Sequence, residues 1–324
     1  MSTSERKDPV EEIQRVVKKE LTDSEASCLF STFSSQALLI ADGRVKDRDI
    51  SSLYMKIQRM VKTATKCTLV SAYTFDGLVP MSFGQGDTVL QYVLKGSDLF
   101  CAKIGNVATI RKEVRIARLV HENQLCPSVM PVIDTVDITD TRLAMIAPYY
   151  PLPLSHFDVQ ENTVVNMAIC ALATIKAFSS KSLCHGDIKP SNMMFQAGSR
   201  TIVTIDFGST VQYGEQLLAT SPTFALDCPT EGSLQYDLTC LASSIVFLLG
   251  NGLDEFSSRA QLREWSAARQ GTHYTIASLC LDPDVESVDS IWQRCKQIVT
   301  VMHADSDWLV DCDTVWPTML EPSS

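Results

Sequence analysis

The sequence predicts an α+β chain in which a helical N-terminal stretch precedes a small strand-rich segment and then a longer, mainly helical one. Three observations predict it. Apolar residues recur at helical spacing early in the chain, at Ile13, Val16, Val17 and Leu21 and again at Ile50, Leu53, Tyr54, Ile57, Met60 and Val61. Strand-forming residues then crowd into runs at 88–93 and 99–103, with Lys95 and Gly96 as a turn between them. Beyond residue 162 the patterns are mainly helical, at 162–178, 237–249, 258–269 and 290–302.

The first helix has a local cause. Asp8 can cap it, Pro9 suits its first position, and Glu11 and Glu12 suit the positive helix start. These helices precede any chemistry, so residues 1–75 read as an accessory region that packs on the rest of the chain or docks a partner. After the two strand runs comes a helix at 108–120, then strand candidates at 130–136 and 142–146. The stretch 162–178 is apolar on most sides, as expected of a buried helix.

Length and charge bound the function. A chain of 324 residues can bury one large core or two lobes that share a cleft. The net charge of −10 supplies no general basic face for nucleic acid. The basic run at 111–118 is interrupted by Glu113 and reads as the solvated side of a helix. Eleven cysteines occur without a C-x-x-C pair, and the chain opens on polar and charged residues rather than an apolar signal. Reduced thiols in an intracellular protein, cytoplasmic or nuclear, are therefore expected. The apolar run at 241–249 is too short to span a bilayer, so no membrane is expected.

The chemistry concentrates in His185-Gly186-Asp187-Ile188-Lys189-Pro190-Ser191-Asn192. Phosphoryl transfer asks a protein for a carboxylate to orient the attacking hydroxyl, oxygen ligands for a metal, and positive charge near the phosphates. Asp187 supplies the carboxylate, Lys189 can reach the transferring phosphate, and Asn192 offers an amide oxygen to magnesium. A second aspartate, Asp206, follows a strand-like run and precedes Phe207 and Gly208, which suits a metal clamp.

The first stretch resembles the catalytic loop of eukaryotic protein kinases, and Asp206-Phe207-Gly208 resembles their metal-binding DFG motif. The resemblance covers about residues 78–310. It implies a bilobal protein-kinase-like fold over residues 76–324, with a strand-rich lobe at 76–147, a hinge at 148–150 and a helical lobe at 151–324. Lys103, at the end of Leu-Phe-Cys-Ala-Lys, then matches the lysine that holds the α- and β-phosphates of ATP, and Glu113 is its implied partner. Gly84 and Gly86 match a phosphate-covering glycine loop whose third glycine is replaced by Val89. Cys101 matches the small residue packed on the adenine. Pro148 and Tyr149 fall in the hinge that binds its edge. Ala147 falls at the residue guarding the cavity behind it, with Ile146 as the alternative register. Thr220 matches the threonine that contacts the catalytic aspartate, Asp227 replaces the glutamate that ends the activation segment, with Pro229-Thr230-Glu231 as the alternative register, and Asp237 matches a buried aspartate beneath the catalytic loop. Gly186 replaces the arginine that pairs with an activation-loop phosphate, which implies activity without phosphorylation.

The implied activity is ATP- and magnesium-dependent phosphorylation of serine or threonine on a protein substrate, since Lys189 is the Ser/Thr-type residue. A small-molecule kinase of the aminoglycoside or choline type shares His-Gly-Asp but usually lacks Lys189 and a distinct activation segment such as 208–227. A pseudokinase scaffold would account for the divergent glycine loop and for Leu226-Asp227, but not for the retention of Lys103, Asp187, Asn192 and Asp206.

Overall fold

The protein is described by a computed structural model. It describes residues 67–70, 73–76, 82–83, 88–95, 98–122, 124–150, 153–156, 159–196, 201–217, 221–284, 287–302, 311–315 and 318–319. The helices expected before residue 67, Gly84, Gly86 and Thr220 lie outside the described residues. The fold is α+β, with antiparallel sheets and a larger complement of helices. The chain divides into two compact units. One runs to Val114 and adds Val132–Pro151 and His156–Asp158; the other takes Arg115–Pro131, Leu152–Ser155 and the chain from Val159 onward.

The first unit is built on an antiparallel sheet. Its strands are β1 (Cys67–Val70), β2 (Tyr73–Asp76), β3 (Ser82–Phe83), β4 (Val89–Lys95), β5 (Asp98–Asn106), β7 (Asp134–Thr139) and β8 (Arg142–Pro148). Their order is β1-β2-β4-β5-β8-β7, with β3 also paired to β4. The sheet thus begins at Cys67, inside the stretch expected to be helical. Cys67–Val70 and Tyr73–Asp76 form a short hairpin, whose pairing with β4 depends on contacts far along the chain. One face carries the core: Val93, Ala102, Ile104, Val136, Ala144 and Ile146 are buried together. Burying a side chain of this size contributes about 1.5–3 kcal/mol.

Helix α1 (Val107–His121) follows β5 directly and matches the helix expected at 108–120. The strand expected at 130–136 starts later, at Asp134. Pro131 has no N–H to give a ladder and delays it. Before it, Met130 N–H bonds to the Thr204 carbonyl at 3.0 Å.

The second unit is organised around α2 (Glu161–Ser179), which is buried on nearly all sides from Val164 to Phe178. Among the described residues α2 alone is long and apolar enough to cross a membrane, but 78% of its apolar window is buried inside the fold. Around it lie α4 (Leu234–Leu248), α6 (Thr272–Cys280) and α7 (Val288–Met302). Helix α4 begins three residues earlier than its apolar pattern suggests, because Ser233 caps it by accepting the Tyr236 N–H at 3.1 Å. Helix α5 (Arg259–Ala267) is capped in the same way by Ser258. Helix α6 was not expected; it is short and mixes polar with apolar residues, so it carries little periodic signal.

Short strands complete this unit. They pair as β9 (Leu183–Cys184) with β12 (Val211–Gln212), β10 (Met193–Phe195) with β11 (Ile202–Thr204), and β6 (Gln124–Leu125) with β13 (Thr318–Met319). The Thr174 hydroxyl on α2 lies 3.0 Å from the Ser128 carbonyl and 3.1 Å from the Thr204 hydroxyl. That contact fixes the strand that leads to Asp206. Six cysteines here, Cys126, Cys170, Cys184, Cys240, Cys280 and Cys295, are buried free thiols that pack as small hydrophobes. Burial pushes Cys170 up to about 11, and Cys126 and Cys295 up to about 12.

Candidate active site

Within the first unit, the register of β5 against β8 sorts the expected binding residues. Directly opposed residues share a face and successive residues alternate. Cys101 opposes Ala147, Ala102 opposes Ile146, and Lys103 opposes Met145. Ala102 and Ile146 therefore face the core with Ile104, whereas Cys101, Lys103, Met145 and Ala147 share the other face. Of the two registers, Ala147 rather than Ile146 lies on the face of the lysine. Pro148 is the last residue of β8, opposite Phe100, and Tyr149 is half-buried just beyond it.

On the same face, the Lys103 ammonium pairs with the Glu113 carboxylate of α1 at 2.7 Å. Glu113 is almost fully buried and Lys103 is 16% exposed. Removing one partner of so buried a pair strands the other charge, which typically costs about 3–5 kcal/mol. Burial pushes the Cys101 thiol up to about 12, with the Lys103 charge working against it, so this thiol stays protonated at neutral pH.

Within the second unit, the loop after β9 is held from below. The Asp237 carboxylate, buried in the first turn of α4, accepts the His185 N–H at 2.7 Å and the Gly186 N–H at 2.9 Å. Burial pushes Asp237 above the ordinary carboxylate value, against the His185 ring and the two backbone donors. The His185 ring packs on Phe178 and Phe207, with centroids 5.2 and 5.8 Å away. Burial lowers its pKa despite the carboxylates of Asp237, Asp187 and Asp206, so the ring is neutral and its Nδ1 accepts the Asp187 N–H at 3.3 Å.

The loop then gathers its polar groups on Asp187. Lys189 pairs with Asp187 Oδ2 at 2.7 Å, and Asn192 Nδ2 donates to the same oxygen at 2.8 Å and to the Asp187 carbonyl at 3.0 Å. The Ser221 hydroxyl donates to Asp187 Oδ1 at 2.8 Å and accepts from Lys189 at 3.0 Å. Ser221 makes this contact; the expected Thr220 lies outside the described residues. Pro222 supplies the signal that finds it: it fixes the start of a short helix, α3 (Pro222–Ala225), and places residue 221 at its mouth. Asp227, further on, has its partner in Arg259, which sequence reasoning missed. The Arg259 backbone N–H donates to Asp227 at 2.9 Å, and its guanidinium lies 3.8 Å away.

Asp206 is tied to this group through the backbone. Ile205 N–H donates to the Asn192 carbonyl at 2.9 Å, and Met193 opposes Thr204 in the β10–β11 pair. Asp206 itself has φ of 66°, a left-handed conformation that non-glycine residues rarely adopt. Strain of this kind persists where the surrounding structure over-determines it and is concentrated at functional sites. Phe207, directly after it, is fully buried against His185 and Phe178 and anchors the turn.

Gly186 has a steric reason. Its φ is +78°, and a Cβ there would lie 2.6 Å from Leu217 Cδ2 and 2.7 Å from the Ser209 carbonyl. The segment that carries Leu217 is strapped to the approach to α4. Gly214 N–H bonds to the Gly232 carbonyl, Gly232 N–H to the Glu215 carbonyl and Leu217 N–H to the Thr230 carbonyl, each at 2.8 Å. Gly232 permits the close approach, since a Cβ would meet Val211 Cγ2 at 2.5 Å.

Among the described residues, no group of three or more His, Cys, Asp and Glu side chains gathers to hold a metal ion. Neither the protein-family models nor the curated proteins compared with this chain give a match.

Proposed function

We propose that the chain is a protein serine/threonine kinase of the bilobal protein-kinase-like fold, using magnesium and ATP. The observation that carries this reading is the convergence on Asp187 of an ammonium, an amide and a hydroxyl, beside an aspartate in a strained backbone conformation. In this reading Asp187 orients the acceptor hydroxyl and takes its proton, and Lys189 balances charge on the transferring phosphate. Asn192 spends its amide N–H on Asp187, which leaves its amide oxygen to join the Asp206 carboxylate toward a cation. Two hard oxygen donors suit magnesium, which usually takes one or two protein ligands and completes its shell with phosphate and water. When bound, the ion neutralises charge on the phosphates. Lys103, oriented by Glu113, takes the α- and β-phosphates. Gly84 and Gly86 cover them, and Cys101, Ala147, Pro148 and Tyr149 receive the adenine.

A protein acceptor is favoured over a small alcohol because residues 208–217 and 221–233 form an ordered segment strapped beside the catalytic loop. The test is incubation with magnesium and labelled ATP, with and without dephosphorylated casein. Label on casein serine or threonine is the expected result. Nucleotide binding with no transfer would replace this reading by a scaffold, and label only on small alcohols would replace it by a small-molecule kinase.

Two further results are expected of this enzyme. The strap and Leu217 fill the place beside Gly186 without any phosphate, so phosphatase treatment should not lower the rate. A large drop, restored by rephosphorylation within 208–227, would overturn that. Ala147, with only a methyl group on the lysine face of β8, should leave the cavity behind the adenine open. Purine-like inhibitors with a bulky aromatic group should bind the natural protein, and Ala147→Met should abolish that binding while sparing ATP turnover. Unchanged inhibitor affinity in the variant would remove Ala147 from this role.

A further inference from the structure

We infer that Ser221 is a phosphorylation site of this chain, modified by the chain itself; the inference rests on the phosphotransferase reading above. Ser221 occupies the N-cap position of α3, where a serine hydroxyl ordinarily accepts a free backbone N–H of the first turn. Here it makes no such bond. The N–H groups of Phe224 and Ala225 go to the Ser221 backbone carbonyl instead, at 2.9 and 3.1 Å. The hydroxyl is turned to Asp187 Oδ1, to which it donates at 2.8 Å, and it accepts from Lys189 at 3.0 Å.

That is the arrangement an acceptor hydroxyl needs. A general base must lie within about 2.6–3.2 Å of the proton-bearing atom, and a cation beside it must offset the incoming phosphate. Ser221 is half-buried. In the step, Ser221 Oγ forms a bond to the terminal phosphorus of a magnesium-bound nucleoside triphosphate. The bond from that phosphorus to the bridging oxygen breaks, and the diphosphate leaves with the electron pair. The hydroxyl proton passes to Asp187 and then to solvent. No oxidant or reductant is required.

The geometry gives the reaction two properties. Acceptor and base belong to one chain and are already in contact, so transfer is unimolecular in the protein. The product puts a phosphate against the Asp187 carboxylate, in the place an external hydroxyl must occupy, so like charge and volume both exclude the next acceptor. The modification therefore limits the enzyme's own activity.

The experiment uses the full chain, stripped by phosphatase and freed of it, then given magnesium ATP with dephosphorylated casein. Phosphopeptides covering Ser221 and Thr223 are followed in time at two chain concentrations differing tenfold. Phosphate is expected on Ser221 with one rate constant at both concentrations, and casein labelling should decline as it accumulates. Ser221→Thr should take up phosphate at the same position and Ser221→Ala should not. Labelled casein with Ser221 unmodified would overturn the inference and leave the kinase reading intact; Ser221 would then only position Asp187. Label on Thr223 instead, or a rate that rises with concentration, would also overturn it. Absence of label on both casein and Ser221 would overturn the inference and the kinase reading together.

Discussion

Asp187→Asn is expected to lower kcat for protein phosphorylation by about 10²- to 10⁴-fold, the usual contribution of a positioned acid–base group. The substitution keeps size and shape: the amide oxygen can still accept from Lys189 and Asn192, and the amide nitrogen can donate to the Ser221 oxygen. What it removes is the negative charge and the capacity to take the acceptor's proton. Nucleotide affinity should be unchanged, because Asp187 does not hold the phosphates in this reading. Asp206→Asn should differ by weakening magnesium-dependent nucleotide binding as well. Turnover and nucleotide titration of the two variants separate these roles. If Asp187→Asn keeps more than about a tenth of the rate, the role given to it is wrong.

The second large effect is on stability. Asp237→Ala removes the carboxylate that accepts the N–H groups of His185 and Gly186, both buried. An orphaned buried donor costs about 1–3 kcal/mol, so two orphans should destabilise by about 2–6 kcal/mol. Loss of the buried charge offsets part of this, since burial already penalises the ionised form of Asp237. Chemical denaturation followed by a probe in this unit measures the change. A shift below about 0.5 kcal/mol, the size expected of an ordinary surface substitution, would mean that the loop is not held from α4. This expectation does not depend on the function of the site.

Much of the α+β character was legible because it is local. The strand-forming residues of Val89–Lys95 and Asp98–Asn106 with a turn between them, and the helical patterns of Val107–His121 and Glu161–Ser179, are written in neighbouring residues. The pairing of Lys103 with Glu113 was expected only through the family resemblance, which implies a glutamate on the helix after the lysine's strand. The parts that escaped depend on residues distant in sequence or on a single backbone atom. Arg259 reaches Asp227 across 32 positions, and no periodicity announces that. The missing N–H of Pro131 moved the start of β7, and the Ser233 cap moved the start of α4. The contact of Ser221 with Asp187 was not foreseen, because it depends on the path of the chain into α3. The steric need for glycine at 186 was equally invisible, because the colliding atoms belong to Ser209 and Leu217.

The buried thiols make the protein its own clock for transient opening. A thiol-reactive probe cannot attack Cys126, Cys170 or Cys295 while each is enclosed and held protonated. Labelling must wait for the surrounding structure to part. Where reclosing is fast, the observed rate is the intrinsic thiol rate multiplied by the fraction of time that site spends open. Cys170 in the middle of α2 should then time the rarest openings of its unit, while Cys228 and Cys312, which are less buried, time the frequent local ones. Cys101, also only partly buried, times local openings in the sheet of the other unit. Thiols that form no disulfide among the described residues thereby record, position by position, how often each part of the fold comes apart.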